Sequence, residues 1–339
     1  MIGPRAALRG AASRLLSRAV GRVYSIGIYE GPSPLALAPA ALASNPVLTL
    51  RDVTDAVATG LADPFMTRVD GTWHMLFEVV RWRGGTRKGV IALATSPDAR
   101  VWSYRGIVLE EPFHLSYPYL VQDGSDHYLI PECSQAGAVR LYRAAPFPTR
   151  WEHVGDLITG PVLVDSSVFR RDGWWWMLTE SDPAHRHATL RLFRARDLRG
   201  PWREHPRSPV VRDDPSRARP GGRVLCLGDR VIRFAQDCGP AYGAKLRAFE
   251  ITELGADAYR EVEVVPSPVL EGSGRGWNRS GMHHVDPHPA GPGRWIACVD
   301  GWRATSGPHR TLLDWRRGGR RRAAATAPAG PSGGEVVSW

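Results

Sequence analysis

No run of 18 or more apolar residues occurs anywhere in the chain, so no segment reads as a membrane-spanning helix. Cysteine is scarce. Cys133, Cys226, Cys238 and Cys298 form no Cys-x-x-Cys pair and no framework spacing. A chain of 339 residues buries enough apolar surface to fold without disulfide staples. The four thiols are therefore expected to be reduced and mostly buried, which fits a cytoplasmic location. A basic folded body is also missing. The formal charge of +10 comes from the two ends: five arginines and no acid in residues 1–22, and seven arginines against Asp314 and Glu335 in 303–339. Residues 23–302 hold 32 basic and 32 acidic side chains. A nucleic-acid binder would carry its basic stripe on the folded body, so this class is excluded.

The first 22 residues are expected to be a flexible segment or a short helix. Their arginines give a weak likeness to a transit segment, without the continuous apolar stretch of a secretory signal. Residues 303–339, rich in Arg, Ala, Pro and Gly, are expected to be disordered.

The abundant residues are 13 Trp, 36 Gly and 28 Pro, which suggest short strands joined by tight turns. An internal repeat bears this out. Asp63–Glu78, Tyr117–Glu132 and Asp165–Glu180 align without gaps. Each opens on a polar residue and a short apolar run. Each turns at Asp-Gly (Asp70-Gly71, Asp123-Gly124, Asp172-Gly173) and returns through aromatics to a Glu. Asp-Gly between apolar runs marks a hairpin, because the turn needs φ > 0. Two weaker copies run from Arg219 to Asp237 and from His284 to Asp300. Between copies recur a strand, a loop and a Trp or Tyr on a further strand: Ala92–Ser96 with Trp102, Arg140–Ala144 with Trp151, Arg191–Ala195 with Trp202, and Leu246–Glu250 with Tyr259. Four strands per unit at a period of about 50 residues predict an all-β, five-bladed β-propeller over 23–302.

Hairpin arithmetic then places the polar ends. The first and last residues of an antiparallel hairpin share one end of the blade. Asp63 with Glu78, Tyr117 with Glu132, Asp165 with Glu180, Arg219 with Asp237, and His284 with Asp300 are thus expected at one face. Crowded carboxylates push each other's pKa values apart, as glycosidic chemistry requires. Trp302, Trp73, Tyr117 and Tyr119 are candidate surfaces for sugar rings. His114, Gln236, Arg219 and His283 are candidate donors beside His284. A metal held by His283, His284 and Asp286 is the weaker reading, since a His pair alone is thin evidence, and no cofactor is expected. Any single blade-opening acid could equally be structural.

At Ala62-Asp63-Pro64-Phe65 and Val164-Asp165-Ser166-Ser167-Val168-Phe169 the chain resembles the five-bladed propellers of glycoside hydrolase family 43. That resemblance implies Asp63 as general base and Asp165 as the residue that tunes the acid. The family's acid, a Glu opening the fourth blade, is replaced by Arg219-Pro220. Glu132 is the substitute candidate, with Glu180 and Asp237 behind it. A nearer resemblance rests on Ser25–Pro34, Glu111–Tyr119, Pro131–Gly137, Gly200–Pro206 and Met282–Asp286. These segments are similar to the propeller domain at the N-terminus of plant glucosamine inositolphosphorylceramide transferases. Similar bacterial propellers stand beside formyltransferase-like modules. The implied partners are a carbohydrate or glycoconjugate and a glycosyltransferase or formyltransferase. Two functional readings stay open: a glycosidase-like propeller, and a carbohydrate-binding propeller without catalysis. The pattern also breaks after Trp302, so the early strand near Val23–Tyr29 is a candidate to close the ring.

Overall fold

The computed structural model describes residues 21–305, apart from Gly84 and Pro161. The expectations for the first 20 residues and for the tail beyond Thr305 lie outside the described residues.

The chain enters with β1 (Arg22–Ser33) and β2 (Ala36–Pro39), an antiparallel hairpin. Blade one comes next as β3 (Ala58–Val69), β4 (Thr72–Arg83), β5 (Thr86–Ser96) and β6 (Ser103–Leu109). Blade two is β7 (Ser116–Asp123), β8 (Asp126–Glu132), β9 (Ala138–Ala144) and β10 (Trp151–Thr159). Blade three is β11 (Val164–Arg171), β12 (Trp174–Glu180), β13 (Leu190–Ala195) and β14 (Arg203–Glu204). Blade four holds β15 (Leu225–Leu227), β16 (Arg230–Asp237), β17 (Lys245–Leu254) and β18 (Tyr259–Glu263), with β19 (Leu270–Glu271) also on β17. The chain ends on β20 (Val285–Pro289) and β21 (Trp295–Ala304).

Blade five is shared between the two ends of the described chain. Its order is β2-β1-β21-β20, and β1 pairs with β21 from Arg22–Ala304 to Gly31–Trp295. β1 and β2 thus take the places of the third and fourth strands of this blade. The fold is a five-bladed β-propeller with a seam inside one sheet.

The turn chemistry has the predicted form in blades one and three. Asp70-Gly71 and Asp172-Gly173 have positive φ at both residues, the requirement of the hairpin turn. In blade two the turn falls one residue later, on Gly124-Ser125, and Asp123 still pairs with Asp126. Cores form between neighbouring blades. Phe65 and Leu76 meet Tyr119 and Leu129, which meet Val168 and Met177. Trp176 and Leu178 meet Val231 and Ile251. Phe234 and Leu246 meet Ala297 and Val299. Ile26, Ile28 and Ile296 meet Met66 and Phe77, which completes the ring. All four cysteines are free; Cys133 and Cys298 are buried, whereas Cys226 is exposed.

Candidate functional site

The inner strands of blades one to three carry the same irregularity at the same place. Pairing runs Ala62–Glu78, then resumes at Phe65–Leu76. It runs Ser116–Glu132, then Tyr119–Ile130, and Val164–Glu180, then Ser167–Leu178. Two residues therefore face one in each hairpin, which is a β-bulge. The first bulged residue is left-handed each time: Asp63 at φ 52°, Tyr117 at φ 43° and Asp165 at φ 53°. Such backbone costs about 1–2 kcal/mol per non-glycine residue. Bulges re-aim side chains, and strained residues cluster at functional sites.

These bulges lie at the ends away from the turns, and the polar ends converge there. The Asp63 amide donates to Asp300 Oδ2 at 2.9 Å, and Asp63 Oδ2 accepts the Tyr117 amide at 3.2 Å. His283 Nδ1 is 2.7 Å from Asp300 Oδ1 and 4.0 Å from Asp63 Oδ1. His284 Nδ1 is 3.9 Å from the same Asp63 oxygen, while its Nε2 meets Pro64 O at 3.0 Å. Asp165 Oδ2 accepts from Arg219 Nε at 2.6 Å and from Gln236 Nε2 at 3.0 Å. Arg219 also reaches His187 Nδ1 at 3.1 Å, and His187 lies 3.7 Å from Glu180. Glu78 faces His114 Nε2 at 3.2 Å, and His114 Nδ1 accepts the Gly89 amide at 2.9 Å. Glu132 accepts the Ser116 hydroxyl at 3.2 Å and the Ser134 amide at 2.8 Å.

Burial and mutual repulsion set the proton affinities. Burial raises Asp63 well above the usual carboxylate range; His283 opposes this, and Asp165, Asp300 and Glu78 add to it. Burial pushes Asp165 up to about 6 against the pull of Arg219, with Glu132 adding to the rise. Asp300 is burdened by burial too, but His283 outweighs it and holds the carboxyl low. His284 is pushed down to about 4 by burial, so it stays neutral. These mutual influences join carboxyls of blades one, two, three and five in one electrostatic cluster.

The second strand explains which side chains take part. Its mouth-end residue is Glu78, Glu132 and Glu180 in the first three blades. In blade four it is Gln236, whose amide bonds Arg219 O at 2.8 Å. In blade five it is Asp300, one step beyond the Val285–Val299 pair. Asp237 is the next residue on its strand and points to the other face, where Arg247 and the Gly239 amide hold it. Asp286 lies deeper along the axis. It accepts from Arg223 Nε and from the Met66 amide at 2.6 Å, and it meets His288 at 2.9 Å.

The aromatics are distributed differently from the sequence expectation. The Tyr117 hydroxyl accepts the Gly222 amide at 2.7 Å, and the Tyr119 hydroxyl donates to Val168 O at 2.7 Å, so both rings fill the axis below the acids. Trp73 lies at the opposite end, in an open cleft with Arg68, Asp98 and Arg294. Trp302 sits at the rim, with Nε1 on Gly243 O at 2.8 Å and the Arg22 guanidinium 4.3 Å from its ring. Two tyrosines that sequence reasoning missed cover the acids. Tyr24 stacks on His283 at 5.0 Å. Tyr242 lies 5.0 Å from the Arg219 guanidinium, 5.5 Å from His187 and 5.6 Å from His283. The one local hint was the His-Arg-His run at 185–187 just after Glu180.

Asp63, His283 and Asp300 offer ligand atoms within 4.8 Å of one another, the spacing a metal ion would need. His284 and Asp286 are not in that set.

Comparison with known proteins places the fold and the family. Residues 20–302 match the family described as "Glucosamine inositolphosphorylceramide transferase 1, N-terminal". The protein of that name from Oryza sativa subsp. japonica is 35% identical over 317 residues, covering 86% of this chain and 42% of that protein. Its counterpart from Arabidopsis thaliana is 33% identical over 316 residues, covering 86% and 41%. This chain thus spans about two fifths of the relatives it matches. Among solved structures, a β-1,2-mannobiose phosphorylase from Listeria innocua superposes with a TM-score of 0.54 at 13% identity, covering 76% of this chain and 92% of that one. An exo-β-1,3-galactanase from Clostridium thermocellum gives 0.51 at 12% identity, covering 66% and 56%. At such identities the superpositions speak to the fold alone. The match across nearly all of the described propeller, with a third of residues identical to the plant proteins, means that this chain belongs to the glucosamine inositolphosphorylceramide transferase 1 N-terminal family.

Proposed function

We propose that the propeller binds a sugar residue of a glycan or glycoconjugate at the acidic mouth, and that it acts by binding rather than by cleavage. The observation that carries this is the ring of Glu78, Glu132, Glu180, Gln236 and Asp300, one from each blade, around a single axis. Sugar hydroxyls are met by such convergent acceptors, with Tyr24 and Tyr242 as ring-sized apolar cover. Two features weigh against hydrolysis. A general base must be ionised, yet burial holds Asp63 toward its protonated form. Arg219 also stands where the resembling hydrolases open their fourth blade with an acid.

A glycosidase-like reading keeps one supporting observation, the electrostatic linkage of Asp63 to Asp165 and of Asp165 to Glu132. In it Asp63 is the base, Glu132 the acid and Asp165 the modulator. His114, Arg219, His283, His284 and Trp302 then belong to the binding shell in either reading, whereas Tyr117 packs beneath it. The plant relatives are named as transferases, so a glycosyltransferase is the partner class we propose.

A glycan array with a parallel hydrolysis screen tests this. The unmutated protein is expected to retain glycans without turnover, and Asp63→Asn and Glu132→Gln to alter retention. Turnover that both substitutions abolish would establish the glycosidase reading. Neither retention nor turnover would remove both.

A further inference from the structure

The polar groups on one side of the mouth are sealed from solvent. Asp165, Glu180 and Gln236 are each 1% exposed, His283 is 2% and Asp300 0%. No sugar-sized molecule touches them unless something above them moves. Tyr24 and Trp302 belong to β1 and β21, which pair over ten residues, so they are fixed in the sheet. Tyr242 is held differently. It sits on a strap, residues 238–244, that joins β16 to β17, and it lies against Arg219, His187 and His283. Two hydrogen bonds reach this strap from blade five: Trp302 Nε1 donates to Gly243 O and Arg22 Nη1 to Tyr242 O, both at 2.8 Å. The Arg22 guanidinium also stacks over the Trp302 ring, so the two latches brace each other.

Beneath the latches, backbone meets bare backbone. A Cβ at Gly243, whose φ is +65°, would stand 2.7 Å from the His283 ring, and a Cβ at Gly281 would stand 2.5 Å from Gly243 O. Glycine at both positions lets the strap lie flat on the rim. It also leaves little apolar surface between the two. A segment held by a few rim hydrogen bonds and little apolar contact opens locally, at far lower cost than the fold as a whole. We propose that residues 238–244 form a lid on the mouth, latched by Arg22 and Trp302, which opens to admit a ligand and closes with Tyr242 against it. The proposal does not depend on which ligand enters. The lid carries its own reporter: the Cys238 sulfur accepts the Gly243 amide across the strap. Burial pushes this thiol up to about 11, so the closed lid keeps it poorly reactive.

Thiol labelling of the full chain with iodoacetamide tests it, in a Cys226→Ser background that removes the exposed thiol. Cys133 and Cys298 are buried at 1% and 0% exposure and report global unfolding. Cys238 is expected to react well before them. Its rate is expected to stay nearly flat up to about 1 M urea, because opening a lid exposes little surface. Trp302→Phe keeps the ring and loses the donor, and Arg22→Met loses the other latch. Each is expected to speed Cys238 labelling about fivefold, the effect of one hydrogen bond, with Cys133 and Cys298 still protected. The urea series needs no latch variant, so the test holds even if Trp302→Phe fails to fold. Three results overturn the proposal: Cys238 reacting only together with Cys133 and Cys298, Cys238 reacting in the parent as fast as an unfolded thiol, or rates unchanged in both folded latch variants. A glycan array that retains nothing would remove the glycan reading and leave the lid standing.

Discussion

At Asp63 burial and the neighbouring carboxyls together outweigh the opposing pull of His283, and the backbone tolerates the result. Its folded pKa lies above the unfolded value of about 3.9, so the fold holds the proton more tightly than the unfolded chain does. That contribution to stability is fully present below about pH 4 and is lost as pH rises through the folded pKa. Asparagine cannot ionise, can still accept the Tyr117 amide and is at ease in left-handed backbone. Asp63→Asn is therefore expected to melt higher than the parent at pH 8, by roughly 1 kcal/mol or more, with the gain vanishing toward pH 4. Thermal melts across that range check it; a difference independent of pH would contradict the assignment. Asp286 is the opposite case. Burial disfavours its charge, but Arg223 and His288 outweigh burial and hold the carboxyl far below its ordinary range. Its contribution is present above about pH 4 and is lost as pH falls through the depressed folded pKa. Asp286→Asn at neutral pH leaves Arg223 without its partner on the axis and is expected to cost about 3 kcal/mol by denaturant titration. A cost near zero would mean that Arg223 is solvated from below.

Elements, not single residues, decide where those carboxyls end up. The hairpins of blades one to three were legible because Asp-Gly and the aromatic return strand repeat with one spacing. The left-handed bulges were not. Asp63 and Asp165 are residue types that accept such backbone, whereas Tyr117 is not, so nothing local announced a shared bulge. Blade four was harder. Arg219-Pro220 lacks the motif, and hairpin counting led to Asp237 where the register puts Gln236 at the axis. Tyr24 and Tyr242 reach the acids from β1 and from a loop, and pairwise sequence spacing carries no trace of this, whereas His187 follows Glu180 closely in the same blade. Glycines separate the two kinds of constraint. At Gly222 a Cβ would stand 1.8 Å from Val285 O with φ at +144°, on the junction between blades four and five. At Gly124 nothing lies within 4 Å of a Cβ and only the φ of +61° matters. Gly222→Ala is expected to cost about 3 kcal/mol or more, and Gly124→Ala about 1 kcal/mol. Similar melts for the two would show that the inner strands part more easily than the Gly222–Val285 bridge implies.

A propeller must also close, and the closure carries the whole molecule. Here it is made by hydrogen bonds inside blade five, where β1 zips onto β21 over ten residue pairs. The Thr305 amide meets Gly21 O at 3.1 Å, so the two ends of the described chain are held together. The strand contributes more than pairing. Val23, Ile26, Ile28 and Tyr29 are buried. At about 1.5–3 kcal/mol per buried apolar side chain they amount to roughly 6–12 kcal/mol. Net stabilities of folded domains are about 5–15 kcal/mol, so losing this strand removes a share comparable to the whole margin. Arg22 and Tyr24 on the same strand form part of the mouth, which ties ring closure to the site. Deleting Arg22–Pro39 is therefore expected to abolish cooperative melting and to expose dye-binding apolar surface. A synthetic peptide of residues 21–40 added in trans is expected to restore both the transition and whatever glycan retention the intact chain has. The deleted chain keeping a sharp transition at the parent temperature would mean that inter-blade packing alone closes the ring. Glycan retention surviving the deletion would in turn separate the mouth from the strand that now contributes Tyr24 to it.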